Sequence, residues 1–132
     1  MEQPYWQIVD NTTYRIVREI ARGGMGAVYE AYQVGTEGFA KRVALKVILQ
    51  ELTDDSEFVD MFISEAKLVA DLVHENIVQI YQLGCADGLY YMSQEFIDGI
   101  TLEAFSQRHQ ELDCAIPIEI SAFIMARVCR AL

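Results

Sequence analysis

The stretch that decides the fold of this 132-residue chain is Ile20-Ala21-Arg22-Gly23-Gly24-Met25-Gly26-Ala27-Val28-Tyr29. Its glycines separate two runs of strand-forming residues, roughly 14–20 and 27–34, which predict two adjacent strands. Because glycine has no Cβ, backbone N–H groups in such a loop can approach a phosphate closely. Taken alone, a plain tight hairpin is the commoner explanation, and no Gly-Lys-Ser/Thr follows as in a Walker-type loop.

A third predicted strand, roughly 42–49, carries a lysine on an otherwise apolar face. Side chains alternate between the two faces of a strand, so Lys46 shares its face with Ala44 and Ile48. An ammonium group on an apolar surface is costly unless an anion lies beside it. The strand therefore predicts an anionic partner, supplied by the protein or by a ligand.

A helix is predicted from Asp54, with Glu57 three residues on as in a capping motif, to about residue 73. One of its faces holds Glu65 among apolar residues, which are Phe58, Phe62 and Val69. Two lone charges buried on facing elements would each cost several kcal/mol unless they paired. We therefore predict a Lys46–Glu65 ion pair, with snorkelling of both charged ends to water as the alternative.

The remaining residues complete an α+β pattern. Strands are predicted at 77–83 and 89–96 around a turn at 84–88, giving five strands and one helix. Thr101 then opens a short helix, and Pro117 opens another with Ile120, Ile124 and Val128 on one stripe. The final residues contain no helix stop signal, so we expect this helix to continue beyond Leu132 and the chain to be part of a longer protein.

Composition narrows the classes of partner. Hydrophobic residues make up 52% and charged residues 23%, which suits one globular core. The net charge of -10 repels phosphate backbones and anionic lipid, so we expect no nucleic acid and no membrane partner. Three cysteines without paired spacing, and a start unlike a signal peptide, predict a reducing, cytoplasmic setting.

In order and spacing, the motifs resemble the protein kinase family, specifically the eukaryotic-like (Hanks-type) bacterial Ser/Thr kinases, over residues 14–132. The stretches that carry the resemblance are the glycine loop, Val43-Ala44-Leu45-Lys46, Phe62-Ile63-Ser64-Glu65, His74-Glu75-Asn76-Ile77-Val78 and the hinge-like 90–99. The resemblance implies a kinase N-lobe, a five-stranded antiparallel sheet with an αC helix, over 14–99. It also implies an N-terminal extension over 1–13 and the start of the C-lobe, αD and a truncated αE, over 100–132.

The family's site residues carry over onto matching positions. Ile20, Val28 and Ala44 would roof the adenine of ATP, and the backbone of Glu95 and Ile97 would hydrogen-bond its edge. Lys46, oriented by Glu65, would hold the α and β phosphates as the catalytic pair. The phosphates would be covered by Ala21, Gly23, Gly24, Met25 and Gly26, and Gln94 would be the gatekeeper. Ala21 replaces the family's first loop glycine, which predicts a less supple loop.

Other family motifs are absent from these residues. Neither the catalytic loop, with its Asp and Asn, nor the Asp-Phe-Gly that binds Mg²⁺ occurs in the sequence. The resemblance thus implies the ATP-binding part of a Ser/Thr protein kinase that is inactive alone. Mg²⁺ and the protein substrate would engage the full-length enzyme. The alternatives are a non-catalytic nucleotide-binding or interaction module, self-associating through its apolar last helix, and a structural remnant without a ligand.

Overall fold

A computed structural model describes residues 7–132, which divide into two compact units. The larger unit comprises the described residues up to Val73 together with Val78–Phe96. The smaller unit comprises His74–Ile77 and Ile97–Leu132. The sheet and the longest helix belong to the larger unit, so the residues predicted to bind phosphate all lie within it.

The larger unit is built on one antiparallel sheet of six strands in the order β1-β2-β3-β4-β6-β5. The strands are β1 (Gln7–Val9), β2 (Thr13–Arg22), β3 (Gly26–Val34), β4 (Ala40–Ile48), β5 (Ile80–Ala86) and β6 (Leu89–Glu95). The predicted α+β class is confirmed, with one strand more than the five expected. The extra strand, β1, has three residues, too few to show an alternating pattern.

Each face of the sheet buries its own apolar core. On the outer face, Val43, Leu45 and Val47 of β4 pack with Tyr14 and Tyr91. On the inner face, Ile48 and Met92 pack against a helix. The alternation predicted for β4 is therefore confirmed, and both of its faces are covered because the strand lies in the middle of the sheet.

The sheet curls so that its first and last strands approach each other. Ile8 of β1 lies in the same core as Tyr91 of β6, although these strands are not neighbours in the sheet. The hydroxyl of Tyr91 donates a hydrogen bond to Asp10 Oδ2 at 3.1 Å, and the hydroxyl of Tyr14 donates one to Gln82 Oε1 at 2.9 Å. These contacts hold the curled sheet together across its open side.

The turn predicted over residues 84–88 is shorter than expected. Strand β5 continues through Gly84, and only Asp87 and Gly88 turn the chain, both with positive φ (51° and 78°). Gly84 has a packing role, because a Cβ there would lie 2.4 Å from the Cζ and hydroxyl oxygen of Tyr91 on the paired strand. The glycine that looked like a turn residue makes room for an aromatic ring.

Helix α1 (Ser56–Ala70) packs on the inner face of the sheet. Its N-cap is Asp55, whose side chain accepts a hydrogen bond from the Glu57 backbone N–H at 3.0 Å, so the predicted start at Asp54 is wrong by one residue. The helix also ends three residues before the predicted limit. Its buried residues are Val59, Phe62 and Ala66, a stripe rotated from the predicted one, which leaves Glu65 at the edge of the contact.

The smaller unit contains two helices, α2 (Leu102–Glu111) and α3 (Ile118–Ala131). The Thr101 hydroxyl caps α2 by accepting a hydrogen bond from the Ala104 N–H at 3.1 Å, as its position predicted. Pro117 occupies the N-cap of α3. Among residues 7–132, no helix has the length and apolar character that a membrane crossing requires.

Candidate functional site

The predicted ion pair between Lys46 and Glu65 is present. The Lys46 Nζ lies 2.8 Å from both carboxylate oxygens of Glu65, which joins the second half of β4 to the second half of α1. The side chains are 29% and 49% exposed, so the burial expected for the two charges is not found. Because water reaches the pair, it contributes little to stability, and its main effect is to fix where the ammonium group lies.

A small cavity of about 30 Å³ adjoins the ion pair. Met25 of the β2–β3 connection and Gly26 at the start of β3 line one side, and Phe58 and Phe62 of α1 line the other, beside Lys46 and Glu65. The fold thus brings the glycine-rich connection and the charged pair to one place. An anionic group at this point would meet the Lys46 ammonium beside the glycine-rich connection, in which the Gly23 N–H donates to the Gly26 carbonyl oxygen at 2.8 Å.

The three glycines between Arg22 and Ala27 differ in how much space a side chain would have. Gly26 is required by packing, because a Cβ there would lie 2.6 Å from the carbonyl oxygen of Val47. A Cβ at Gly24 would meet nothing within 4 Å, and one at Gly23 only the Gly26 carbonyl oxygen at 3.9 Å. Neither has a positive φ, and neither does Ala21. A Cβ would therefore fit at Gly23 and Gly24, which lie in a tight turn closed by the Gly23 N–H donating to the Gly26 carbonyl oxygen at 2.8 Å, and Ala21 is not strained.

The residues predicted to roof adenine lie on the sheet near Lys46. Val28 is paired with Lys46 across β3 and β4, so the two side chains share a face. Ala44, 5% exposed, is paired with Gln94 of β6. Ile20, 43% exposed, lies at a β-bulge in β2, a feature that redirects a side chain. The sheet places Ala44, Gln94, Val28 and Lys46 as neighbours.

The two predicted hinge residues fall in different units. Glu95 ends β6, its N–H donates to the Gln79 carbonyl oxygen at 2.8 Å, and its carboxylate accepts from the Gln79 N–H at 3.2 Å. Ile97 begins a segment of the smaller unit and is 57% exposed. Within residues 7–132, no hydrogen bond to its backbone is present. The roles assigned to both residues stay predictions.

Sequence reasoning missed a second charged cluster on the inner face. Glu30, 5% exposed, is paired with Ala44 across β3 and β4. Its carboxylate accepts hydrogen bonds from Arg42 Nε at 2.7 Å and Arg18 Nε at 2.6 Å. The hydrogen bond from Arg42 is the main reason that the pKa of Glu30 lies below its ordinary value, and the Arg18 hydrogen bond adds to it. Arg42 also stacks on Phe96, 3.9 Å from its ring centroid.

The signal that identified Lys46 could have found this cluster. Glu30 is a charged residue that shares one face of its strand with the apolar Val28, and Arg18 and Arg42 lie on the strands to either side. In the part of the chain that the structure describes, no three His, Cys, Asp or Glu side chains gather in a way that could hold a metal ion.

Comparison with known sequences gives a family match over nearly the whole chain. Residues 14–132 match the family described as the protein kinase domain. The tyrosine-protein kinase MasK of Myxococcus xanthus is 45% identical over 86 residues, covering 65% of this chain and 13% of that protein. The serine/threonine-protein kinase PrkC of Bacillus subtilis is 33% identical over 118 residues, covering 89% and 18%. Pkn1 of Myxococcus xanthus, also named a serine/threonine-protein kinase, is 36% identical over 122 residues, covering 91% and 16%.

Solved structures give a consistent match. The kinase domain of PknI from Mycobacterium tuberculosis is similar, with a TM-score of 0.67 and 28% identity. The match covers 89% of this chain and 45% of that domain. The chain therefore spans less than half of the solved domain and less than a fifth of the three curated relatives.

Proposed function

This chain belongs to the protein kinase family, and on that premise we propose that its larger unit binds ATP on the inner face of the sheet. The observation that carries the proposal is the Lys46–Glu65 ion pair, which fixes an ammonium group beside the glycine-rich connection. In this assignment Lys46 holds the α and β phosphates and Glu65 orients it. A fixed positive charge matters in a chain whose net charge is -10.

The glycine-rich connection supports a phosphate ligand. Gly23 and Gly24 have room where a side chain would be, and neither has a positive φ that would require glycine. Phosphate oxygens bind backbone N–H groups well when no Cβ stands in the way. We assign the covering of the phosphates to this connection, with Met25 and Gly26 adjoining the ion pair.

The adenine ring is assigned to the neighbouring part of the same face. Ala44 and Val28 offer a small apolar surface on adjacent strands, and Ile20 can close over it from the bulge in β2. Gln94 lies directly across from Ala44. We propose that the Gln94 side chain limits the depth of the pocket behind the adenine ring. Its amide can also donate and accept hydrogen bonds there.

We further propose that the protein of which these residues are a part transfers the γ-phosphate of ATP to Ser or Thr hydroxyls of protein substrates. Support comes from relatives named serine/threonine-protein kinases. A tyrosine hydroxyl is the second candidate, because the relative at 45% identity is named a tyrosine-protein kinase. The exposed thiols of Cys85, Cys114 and Cys129 favour a reducing, cytoplasmic compartment for this work.

The 132 residues taken alone are not expected to transfer phosphate. They contain no Asp-Phe-Gly and no catalytic-loop motif, and the described residues do not fit a Mg²⁺ site. Mg²⁺ neutralises phosphate charge in kinases. What this chain's own residues supply is the binding and orientation of the nucleotide.

A binding measurement tests the proposal. In an ATP titration followed by thermal shift and calorimetry, Lys46→Ala should weaken ATP binding by about tenfold or more, because a charge-assisted contact to phosphate is lost. The matched control is Lys67→Ala, which removes the same charge from the exposed side of α1 and should change the affinity by less than about twofold. Equal ATP affinity of wild type and Lys46→Ala would remove Lys46 from the site.

A non-catalytic interaction module remains the second candidate for the chain itself. The smaller unit exposes apolar residues of α3, with Ile120 at 40%, Phe123 at 58% and Val128 at 45%. Sedimentation over a range of concentrations tests this candidate. A self-associating chain that dissociates when Val128 is replaced by Lys, and that does not bind ATP, would favour it over the nucleotide site.

A further inference from the structure

A second and larger cavity lies between the two edge strands of the sheet. This cleft has a volume of about 750 Å³, within the usual range of ligand pockets. Strand β1 forms one wall, and the end of β5 with the Asp87–Gly88 turn forms the other. Ala27, Tyr29 and Val47 line its floor and face away from Lys46. The cleft thus lies mostly on the face opposite Lys46, and Ile48 lines both the cleft and the small cavity beside the ion pair.

The lining of the cleft mixes polar and apolar groups and has an acidic rim. Leu89 and Val47 contribute to the floor, and Asp54 and Asp87, both exposed, carry the rim carboxylates. Among the residues of 7–132 that line it, none is Lys, Arg or His. Positive charge on a ligand would complement the rim, and apolar groups could contact Tyr29 and Leu89.

We propose that this cleft binds a basic, amphipathic peptide segment of a partner protein, with Lys or Arg side chains against Asp54 and Asp87 and apolar side chains on the floor. Charge complementarity selects this occupant. The net charge of -10 raises the local concentration of cationic segments, and it repels a second copy of the same chain. An anionic peptide would meet the rim carboxylates with like charge.

The chain offers a reporter inside the cleft. Cys85 is exposed and lines the cavity, whereas Cys114 and Cys129 are exposed in the smaller unit. A peptide seated in the cleft should slow the alkylation of Cys85 by a thiol reagent several-fold. The reaction of Cys114 and Cys129 in the same sample should not change, which provides the internal reference.

The test uses the 132-residue chain and a short fluorescent peptide of alternating Lys and Leu, with oligolysine of the same length as the charge-only probe. The combined variant Asp54→Asn/Asp87→Asn removes the rim charges and keeps the fold, because Asn tolerates the positive φ at residue 87 and Asp55 caps α1. The control Glu103→Gln/Glu119→Gln removes the same charge from exposed positions in the smaller unit.

The expected result is binding of the Lys-Leu peptide that weakens about tenfold in the rim variant and less than about twofold in the control, with oligolysine binding more weakly. Equal weakening in both variants would show attraction by net charge only and would overturn the proposal. Unchanged Cys85 alkylation in the presence of saturating peptide would place the peptide elsewhere and also overturn it. A dimer that the rim substitutions dissociate would assign the cleft to a second copy of the chain.

Discussion

The Glu30 carboxylate on β3 lies 2.7 Å from the guanidinium of Arg42 on β4. Arg42 is two residues before Ala44, the cross-strand partner of Glu30. The second carboxylate oxygen binds Arg18 of β2, so one side chain, only 7% exposed, ties three adjacent strands together. Arg42 in turn stacks on Phe96, at the end of the larger unit. The strands proposed to cover adenine are thereby fixed relative to one another.

Replacing Glu30 with Gln should destabilise the larger unit by about 1–3 kcal/mol, because charge-assisted hydrogen bonds at a buried position are lost. The cost stays below that of a fully buried ion pair, since Arg18 and Arg42 are 60% and 37% exposed and can be hydrated. Urea unfolding measures the change. Glu19→Gln, at an exposed carboxylate paired with Arg22, is the control and should have a much smaller effect. Equal effects would contradict the assignment of Glu30 as a strand tie.

The contribution of Glu30 should depend on pH. Arg42 lowers the pKa of Glu30 below its ordinary value of 4.5, so the folded state favours the ionised form. This stability is present above the ordinary pKa and is lost as pH falls through the lowered one. The difference in unfolding free energy between wild type and Glu30→Gln should therefore be constant near neutral pH and shrink below pH 4.5. A difference that grows on acidification would refute the sign of the shift.

Substitutions at two glycines should separate folding from ligand binding. Gly26→Ala should lower the free energy of unfolding by about 1–3 kcal/mol, since its Cβ would meet the Val47 carbonyl oxygen. Gly24→Ala should leave stability unchanged or slightly raised, because the site is open and the backbone needs no positive φ. It should nevertheless weaken ATP binding. Thermal melts and ATP titrations check both, and ATP binding to Gly24→Ala at wild-type affinity would contradict the proposed phosphate contact.

Gly84→Ala should destabilise the sheet by about 1–3 kcal/mol or more, because the new Cβ would lie 2.4 Å from atoms of the Tyr91 ring. The ring is 0% exposed and cannot move aside into solvent. Urea unfolding of this variant should be compared with that of Gly23→Ala, where the nearest atom is 3.9 Å away. Stability equal to wild type for Gly84→Ala would show that Tyr91 packs differently.

Asp55→Ala should cost about 1 kcal/mol of stability, because the first turn of α1 loses the acceptor for the Glu57 N–H. Asp54→Ala is the matched control. It removes the same charge one residue earlier, where no cap is made, and should cost less. Thermal melts measure both losses. A larger loss of stability in Asp54→Ala than in Asp55→Ala would restore Asp54 as the cap predicted from sequence.

Much of the inner face could be predicted because it follows from alternation and charge. A single charge among apolar residues of a strand or helix has few stable arrangements, and this argument predicts the pairing of Lys46 with Glu65. The same argument predicted more burial of the two charged side chains than is found, since Glu65 lies at the edge of the contact between α1 and the sheet. The rotation depends on how Val59 and Ala66 pack, which a helical period alone does not decide.

The features that escaped prediction depend on partners distant in sequence. Strand β1 has too few residues for a period, and it is identified by the burial of Ile8 in a core built by later strands. Gly84 reads as a turn residue until Tyr91 is placed opposite it. The Glu30 cluster needs the strand order, which brings Arg18 and Arg42 to its two sides.

The hydrogen bond between Asp10 and Tyr91 joins residues 81 positions apart. During synthesis, a ribosome must therefore release Tyr91 before the outer core around Ile8 and Tyr14 can close. Until then, the first strands expose apolar side chains that have no partner. Contacts of such long range slow folding, and apolar side chains exposed in the meantime are prone to aggregate.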